Sequence, residues 1–179
     1  ITFVRIILIP IILYLLFSDN SKVVLIAGLL FIVSSISDYF DGYLARKFNA
    51  TSQIGEILDP IADKILIVFV LFGLAVNLSS YLIGFAGSII ISREIWVSAL
   101  RDFNSRNNNE NATRVITISK YKTAMQLFTV FIYLLGLAIN FMLLIVVGDI
   151  LLIIAVLITI YTGYIYTLNS FEKRKWKFR

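Results

Sequence analysis

Apolar residues dominate this chain in six long runs that are separated by shorter polar connections. Every run except the first is close to the roughly 20 residues that a helix needs to cross a bilayer core. The pattern predicts an all-α integral membrane protein with one membrane domain over residues 1–179. We expect six transmembrane helices at about residues 3–17, 22–44, 57–77, 80–100, 123–140 and 143–168.

The connections between these runs differ in charge. Those after the first, third and fifth runs are short and nearly neutral, whereas those after the second and fourth runs and the C-terminal tail are rich in Lys and Arg. Because basic connections stay on the cytoplasmic side, both termini and both charged connections are predicted to be cytoplasmic. The longest connection, from Asp102 to Ser119, is polar and is expected to be a mobile excursion between helices.

Composition narrows the possible chemistry. The chain is 59% hydrophobic and contains neither cysteine nor histidine, which excludes thiolate nucleophiles, Cys/His zinc sites and Ser-His-Asp triads. The net charge of +5 comes largely from Lys and Arg in the connections and the C-terminal tail, where membrane proteins commonly have them. No nucleic-acid partner is therefore expected. Since the first residue is Ile1 rather than Met, we expect that the natural start is missing.

Two pairs of aspartates stand at the ends of apolar runs. Asp38 and Asp41 are three residues apart, and Asp59 and Asp63 are four apart, so each pair lies on one face of a helix. Burying one charged carboxylate in hydrocarbon costs about 2.5 to 3.5 kcal/mol, so four of them require matching positive charge. Two divalent cations, Mg²⁺ or Mn²⁺, would balance them and would hold a phosphate or diphosphate substrate.

Small and basic residues accompany the aspartates. Gly42 and Ala45 leave the helix surface bare enough for a nucleotide, although the same residues also permit close helix packing. Arg46 can face a phosphate or extend to lipid headgroups. Ser52 is a candidate cap of the third helix, and Gly55 leaves room on its first turn.

Together these residues form a recognisable pattern, which resembles the signature of the CDP-alcohol phosphatidyltransferase family at every position. The pattern reads Asp38-x-x-Asp41-Gly42-x-x-Ala45-Arg46, eight further residues, then Gly55-x-x-x-Asp59-x-x-x-Asp63. Members of this family are membrane enzymes of six transmembrane helices and are generally homodimeric. They join a CDP-linked lipid to an alcohol and release CMP with the help of two divalent metals.

The resemblance implies roles for individual residues. Asp38, Asp41 and Asp59 would be metal ligands, while Asp63 would both touch the second metal and accept the proton of the attacking alcohol. The CDP-lipid would be bound at Thr2, Gly42, Ala45, Arg46, Ser52 and Gly55.

A second resemblance extends over most of the chain. The segments Thr2-x-x-Arg5 with Pro10, Ser92 to Arg101 and Ser119 to Gln126 are similar to bacterial family members that use CDP-diacylglycerol and sn-glycerol 3-phosphate. It implies a site that faces the cytoplasm from the bacterial inner membrane. The acceptor phosphate would be bound by Arg93, Arg101, Lys120 and Lys122, although cytoplasmic loops hold such cations in any case.

The sequence therefore predicts a direct displacement, in which the acceptor hydroxyl attacks the lipid-side phosphorus and CMP leaves. One alternative is the same chemistry with another acceptor, such as inositol phosphate or serine. A cation transporter is a more remote alternative, because its intramembrane aspartates would bind the transported ion. A scaffold that binds lipid headgroups is a further alternative, but it would leave the aspartate spacing unexplained.

Overall fold

A computed structural model describes residues 2–48, 53–107 and 117–172 of the chain. All regular secondary structure in these residues is helical, and the six predicted helices are present in the predicted order. Their bounds are α1 Thr2–Leu16, α2 Ser21–Phe48, α3 Gln53–Asn77, α4 Tyr81–Arg106, α5 Thr117–Ala138 and α6 Met142–Glu172.

Helices α4 and α5 extend further into the polar connection than the sequence predicts. α4 continues to Arg106 and α5 already begins at Thr117, so only residues 108–116 of this connection lie outside the described part. The extension of α4 is polar, and its side chains satisfy one another along the helix. Arg106 forms an ion pair with Asp102 one turn earlier, with 2.9 Å between the charged atoms. The change from apolar to polar residues in α4 therefore shows where its membrane-spanning segment ends, whereas the helix itself continues.

The helices pack in a closed ring. α1 contacts α2 and α3, α3 contacts α4, α4 contacts α6, α6 contacts α5, and α5 returns to α2; α3 also touches α5 across the centre. The main core lies between these helices and includes fully buried side chains from all six of them, among them Ile12, Ala27, Val70, Ile83, Tyr133 and Leu152. The N-terminus of α3, the C-terminus of α4 and the N-terminus of α5 therefore lie at one end of the ring.

The outer surface of the ring is as apolar as its core. Large side chains such as Phe85, Leu157 and Met142 are more than half exposed. Three helices are long and apolar enough to span a membrane, over Tyr81–Arg106, Tyr121–Ala138 and Met142–Phe171. In the described part of α1, α2 and α3 the apolar stretches are shorter, over Arg5–Leu16, Ser21–Ser37 and Lys64–Asn77. The molecule is a helical membrane protein.

Two tight turns close the end of the ring that is remote from the aspartates. Ser79 and Asn140 have φ angles of 47° and 54°, in the left-handed region. The following residue in each turn donates a backbone hydrogen bond to the carbonyl five residues earlier, as in Ser80 to Ala75 at 2.9 Å. Asn77 ties this end to α1, because its side-chain amide donates to the carbonyls of Leu16 and Ser18 at 2.9 and 3.1 Å.

Replacing Asn77 by Leu is expected to lower the stability of the protein without changing its chemistry. The substitution removes two hydrogen bonds that hold α3 against the end of α1, at a cost of about 1 to 3 kcal/mol. Thermal unfolding in detergent should show a midpoint several degrees lower. Tyr81→Leu changes a fully exposed side chain at the same end and is the matched control. An unchanged midpoint for Asn77→Leu would show that these bonds do not hold α1.

Candidate active site

The aspartates follow the core-facing stripes of their helices. In α2 the buried residues Val24, Ala27, Phe31 and Ser34 recur every three or four positions, and positions 38 and 41 continue that spacing. In α3 the buried residues Leu66, Val70 and Leu74 do the same, and positions 63 and 59 continue the spacing backwards. Both pairs thus occupy backbone positions of α2 and α3 at the same end of the ring. The four side chains lie outside the described residues.

A buried charged cluster lies beside this end, and its centre is Glu94 on α4. One carboxylate oxygen of Glu94, Oε1, accepts a hydrogen bond from Nη1 of Arg93 at 2.9 Å. The same oxygen accepts a second bond from Nζ of Lys122 on α5. The side chains of Arg93 and Lys122 are only 7% and 4% exposed, so both cations are inside the protein. A single carboxylate therefore holds two buried cations together.

Lys64 connects the cluster to the aspartate helix. It follows Asp63 directly in α3, and its Nζ donates to Oγ of Ser98 on α4 at 2.7 Å. Lys64 is also close enough to interact electrostatically with Glu94. The backbone of Asp63 consequently lies at the level of the charged cluster, one residue from a cation that touches α4.

Three cations face one carboxylate in this group, so Lys64, Arg93, Lys122 and Glu94 together carry an excess of two positive charges. Buried charge of this kind is costly unless it is paired. A phosphate monoester carries about −1.5 to −2 charges at pH 7, which is the compensation that these side chains lack among themselves. The arrangement suits the binding of a small phosphorylated molecule next to the aspartates.

Helix α6 completes the surroundings of the arginines. Nη2 of Arg93 donates to Oγ1 of Thr162 at 2.9 Å. The guanidinium carbon of Arg93 lies 5.6 Å from the ring centroid of Tyr166, and that of Arg101 lies 5.9 Å from the same centroid. Arg101 is exposed, whereas Tyr166 is completely buried. The two predicted acceptor arginines of α4 therefore flank one aromatic ring of α6.

Arg93, although mostly buried, also contributes to the wall of a groove. An open groove of about 430 Å³ runs between α4 and α6 and is lined by Ser88, Ile89, Ser92, Arg93, Trp96 and Ile160. A smaller apolar cavity of about 270 Å³ lies among α1, α3 and α4 and includes no charged side chain. Only the groove of these two cavities reaches the charged cluster.

The structure brings together some of the residues that the sequence singled out. Arg93 and Lys122 share Glu94, and Arg101 joins Arg93 through Tyr166. For several other predicted site residues, the structure describes either the backbone alone or neither backbone nor side chain. Ser52 is wholly outside it, and the same holds for the side chains of Thr2, Ala45, Arg46 and Lys120; Gly42 and Gly55 are placed only as backbone positions in α2 and α3.

Four residues of the cluster were not identified from the sequence. Lys64 has a local signal, because it directly follows the last aspartate of the signature. Glu94 has one too, since a carboxylate beside an arginine inside an apolar run needs partners. Thr162 and Tyr166 lie in a long apolar run and have no such signal; their role depends on the packing of α6 against α4.

The fold defines a helical membrane protein with a buried cationic cluster, and comparison with known proteins gives its class. The sequence profile of the CDP-alcohol phosphatidyltransferase family matches residues 1–161. The chain belongs to this family, so the resemblance seen in the aspartate signature is confirmed.

Similar proteins are found in several bacteria. A CDP-diacylglycerol–glycerol-3-phosphate 3-phosphatidyltransferase of Rickettsia bellii (strain RML369-C) is 39% identical over 166 residues, which covers 92% of this chain and 90% of the relative. A protein of the same name from Rickettsia typhi (strain ATCC VR-144 / Wilmington) is 38% identical over 168 residues, covering 92% and 91%. One from Wigglesworthia glossinidia brevipalpis is 38% identical over 133 residues, covering 73% and 71%. The prediction of a phosphatidyltransferase is thereby confirmed.

The residues present fit the divalent cations that this family implies. Among the side chains that the structure describes, no three or more of His, Cys, Asp and Glu lie together. The candidate ligands remain the four aspartates of the sequence signature. Carboxylate oxygens are the ligands that Mg²⁺ and Mn²⁺ prefer. Their positions continue the interior faces of α2 and α3, where charged carboxylates require compensation.

Proposed function

We propose that this chain transfers the phosphatidyl group of CDP-diacylglycerol to sn-glycerol 3-phosphate, giving phosphatidylglycerophosphate and CMP. The observation that carries the choice of acceptor is the buried cluster around Glu94, which has an excess of two positive charges and adjoins Asp63 through Lys64. The names of its relatives support the same reaction. An acceptor without a phosphate, such as serine, would leave the excess positive charge of this cluster without an anionic partner from the substrate.

In the proposed reaction the protein positions two substrates and moves one proton. Arg93, Lys122 and Lys64 bind the phosphate of the acceptor, with Arg101 at the edge of the site. Asp63 accepts the proton of the C1 hydroxyl of sn-glycerol 3-phosphate. The oxygen of that hydroxyl attacks the lipid-side phosphorus of CDP-diacylglycerol. A bond forms between this oxygen and that phosphorus, the phosphorus–oxygen bond to CMP breaks, and CMP leaves with the electron pair.

Two divalent cations, held by Asp38, Asp41, Asp59 and Asp63, would neutralise the diphosphate and the charge that develops in the transition state. Arg46, Gly42, Ala45, Ser52, Gly55 and Thr2 would bind the CDP-lipid. The acyl chains would stay in the bilayer and enter between the helices, which accounts for a phosphoryl-transfer site inside a membrane protein.

The same proposal includes the setting of the enzyme. All six helices would span the bacterial inner membrane, with both termini and the active site on the cytoplasmic side, because the basic connections lie at the end of the ring that holds the aspartates. The protein would act as a homodimer within the membrane lipids. Cross-linking in native membranes would test the dimer, and protease protection of tagged termini would test the orientation.

The reaction is tested by CMP release from purified protein with labelled CDP-diacylglycerol and a panel of acceptors. We expect Mg²⁺- or Mn²⁺-dependent release with sn-glycerol 3-phosphate, and at least about 100-fold less with glycerol or serine, which carry no phosphate. Inositol phosphate is the phosphorylated competitor in the panel. A faster reaction with another acceptor would show that glycerol 3-phosphate is not the preferred acceptor, but the proposed transfer chemistry would stand. Ion flux in liposomes without any CMP release would favour a transporter instead.

A further inference from the structure

We infer that Tyr166 is a positioning residue that joins Arg93 and Arg101 into one phosphate-binding unit and so contributes to selection of a phosphorylated acceptor. This inference depends on the proposed function, since it concerns the acceptor subsite. Its starting point is that both guanidinium groups lie within 6 Å of the centroid of one buried ring, at 5.6 and 5.9 Å. Cation–π attraction acts over this range and is stronger where the groups are desolvated.

The ring is placed to act on both arginines without touching the substrate. Tyr166 is completely buried and packs with Val97 and Leu100, which lie on α4 between the two arginines. Arg93 and Arg101 are eight residues apart, which places them about two turns apart on neighbouring faces of α4. Two guanidinium groups repel each other, so they need a shared neutral partner to remain close to one site. The ring of Tyr166 provides it.

Arg101 gains most from this contact. Its side chain is exposed, and an exposed arginine at the cytoplasmic end of a helix would otherwise sample many rotamers in water. The contact with a fixed ring restricts the guanidinium to the side of α4 that faces α6. The entropy of ordering Arg101 is then lost during folding rather than during substrate binding.

Gly163 supports the same arrangement for Arg93. A Cβ atom at position 163 would lie 3.1 Å from Cγ of Arg93 and 3.6 Å from its Nε, so the absence of a side chain lets the arginine lie against α6. Thr162 beside it accepts the hydrogen bond from Arg93 at 2.9 Å. In α6, Thr162 thus holds the arginine by a hydrogen bond and Tyr166 by its ring, while Gly163 leaves the space in which the arginine lies.

The test compares Tyr166→Leu with Tyr166→Phe in steady-state CMP release. We expect Leu to raise KM for sn-glycerol 3-phosphate about tenfold, with kcat and KM for CDP-diacylglycerol within about twofold of the original protein. Phe keeps the ring and should restore KM to within about twofold. The matched control is Tyr133→Leu, because Tyr133 on α5 is equally buried but pairs with Asp149, away from the arginines.

A second variant covers the case in which Tyr166→Leu does not fold. Gly163→Ala should raise KM for the acceptor about threefold by displacing Arg93, whereas Gly28→Ala, whose Cβ would make an ordinary 3.6 Å contact, should not. Equal acceptor KM values for the Tyr166→Leu and Tyr133→Leu variants, or a Phe variant as impaired as Leu, would overturn the inference while the parent enzyme stays active. A parent protein that gives no product with sn-glycerol 3-phosphate would instead overturn the proposed function, and the inference with it.

Discussion

Replacing Asp63 by Asn is expected to lower kcat about 10³-fold or more. The substitution keeps the size of the side chain but removes the proton acceptor and one charged metal ligand. Lys64, the next residue, bonds Ser98 of α4, and this contact does not depend on the side chain at position 63, so the amide should be tolerated in the fold. The measurement is CMP release at saturating concentrations of both substrates.

The control separates loss of the base from loss of the metals. Asp102→Asn removes an exposed carboxylate of α4 whose partner is Arg106, and it should leave kcat unchanged. Binding of Mn²⁺ to the Asp63→Asn variant, followed by electron paramagnetic resonance, should be weakened but present, since three aspartates remain. Chelation by EDTA should stop turnover of the parent protein and be reversed by Mg²⁺ or Mn²⁺. An Asp63→Asn variant with near-normal turnover would exclude Asp63 as the base.

Much of the helical architecture can be predicted from this sequence because the physical signal is strong. A helix in lipid must satisfy its backbone internally and face apolar side chains outward, so length and hydropathy alone find six helices. The ends of α4 and α5 were missed because hydropathy reports the bilayer boundary, whereas the helix of α4 continues through polar residues stabilised by the Asp102–Arg106 pair.

The candidate site likewise has one part that the sequence predicts and another part that it does not. The aspartates are visible in the sequence because their spacing along one helix is itself the signal. The partners of Arg93 and Glu94 are not, since Thr162 lies on α6 and Lys122 on α5, and both meet α4 only after packing. Apolar runs give no indication of which threonine or tyrosine will face a buried cation.

The contacts of Glu94 show that the geometry of the proposed phosphate site depends on how its basic side chains are held, and not only on their number. The sequence predicts four basic phosphate ligands but not the residues that hold them in place. In the structure, Arg93 and Lys122 are ordered by a shared carboxylate before any substrate arrives, whereas Arg101 is ordered by a ring. Ordering in advance lowers the entropic cost of binding. The proposed acceptor subsite therefore depends on a carboxylate and a tyrosine as much as on its cations.

The second large effect is expected at Arg93, where Met should lower kcat/KM for sn-glycerol 3-phosphate about 10²-fold or more. Met fills a similar volume but removes a buried charge that bonds both Glu94 and Thr162. Lys122 is then left to balance Glu94 alone, so less positive charge is available to the acceptor phosphate. KM for CDP-diacylglycerol should change little, since its proposed ligands lie on α1, α2 and the start of α3.

Two further variants establish that geometry as well as charge is needed at Arg93. Lys at this position keeps the charge, but a single ammonium group cannot reproduce the planar contacts with Glu94, Thr162 and the ring of Tyr166, so its kcat/KM should be intermediate. Arg106→Met removes an exposed arginine further along α4 and is the matched control, which should behave like the parent protein. If Arg93→Met retained full acceptor kinetics, the phosphate would have to bind elsewhere, and the cluster around Glu94 would be a structural ion pair between α4 and α5.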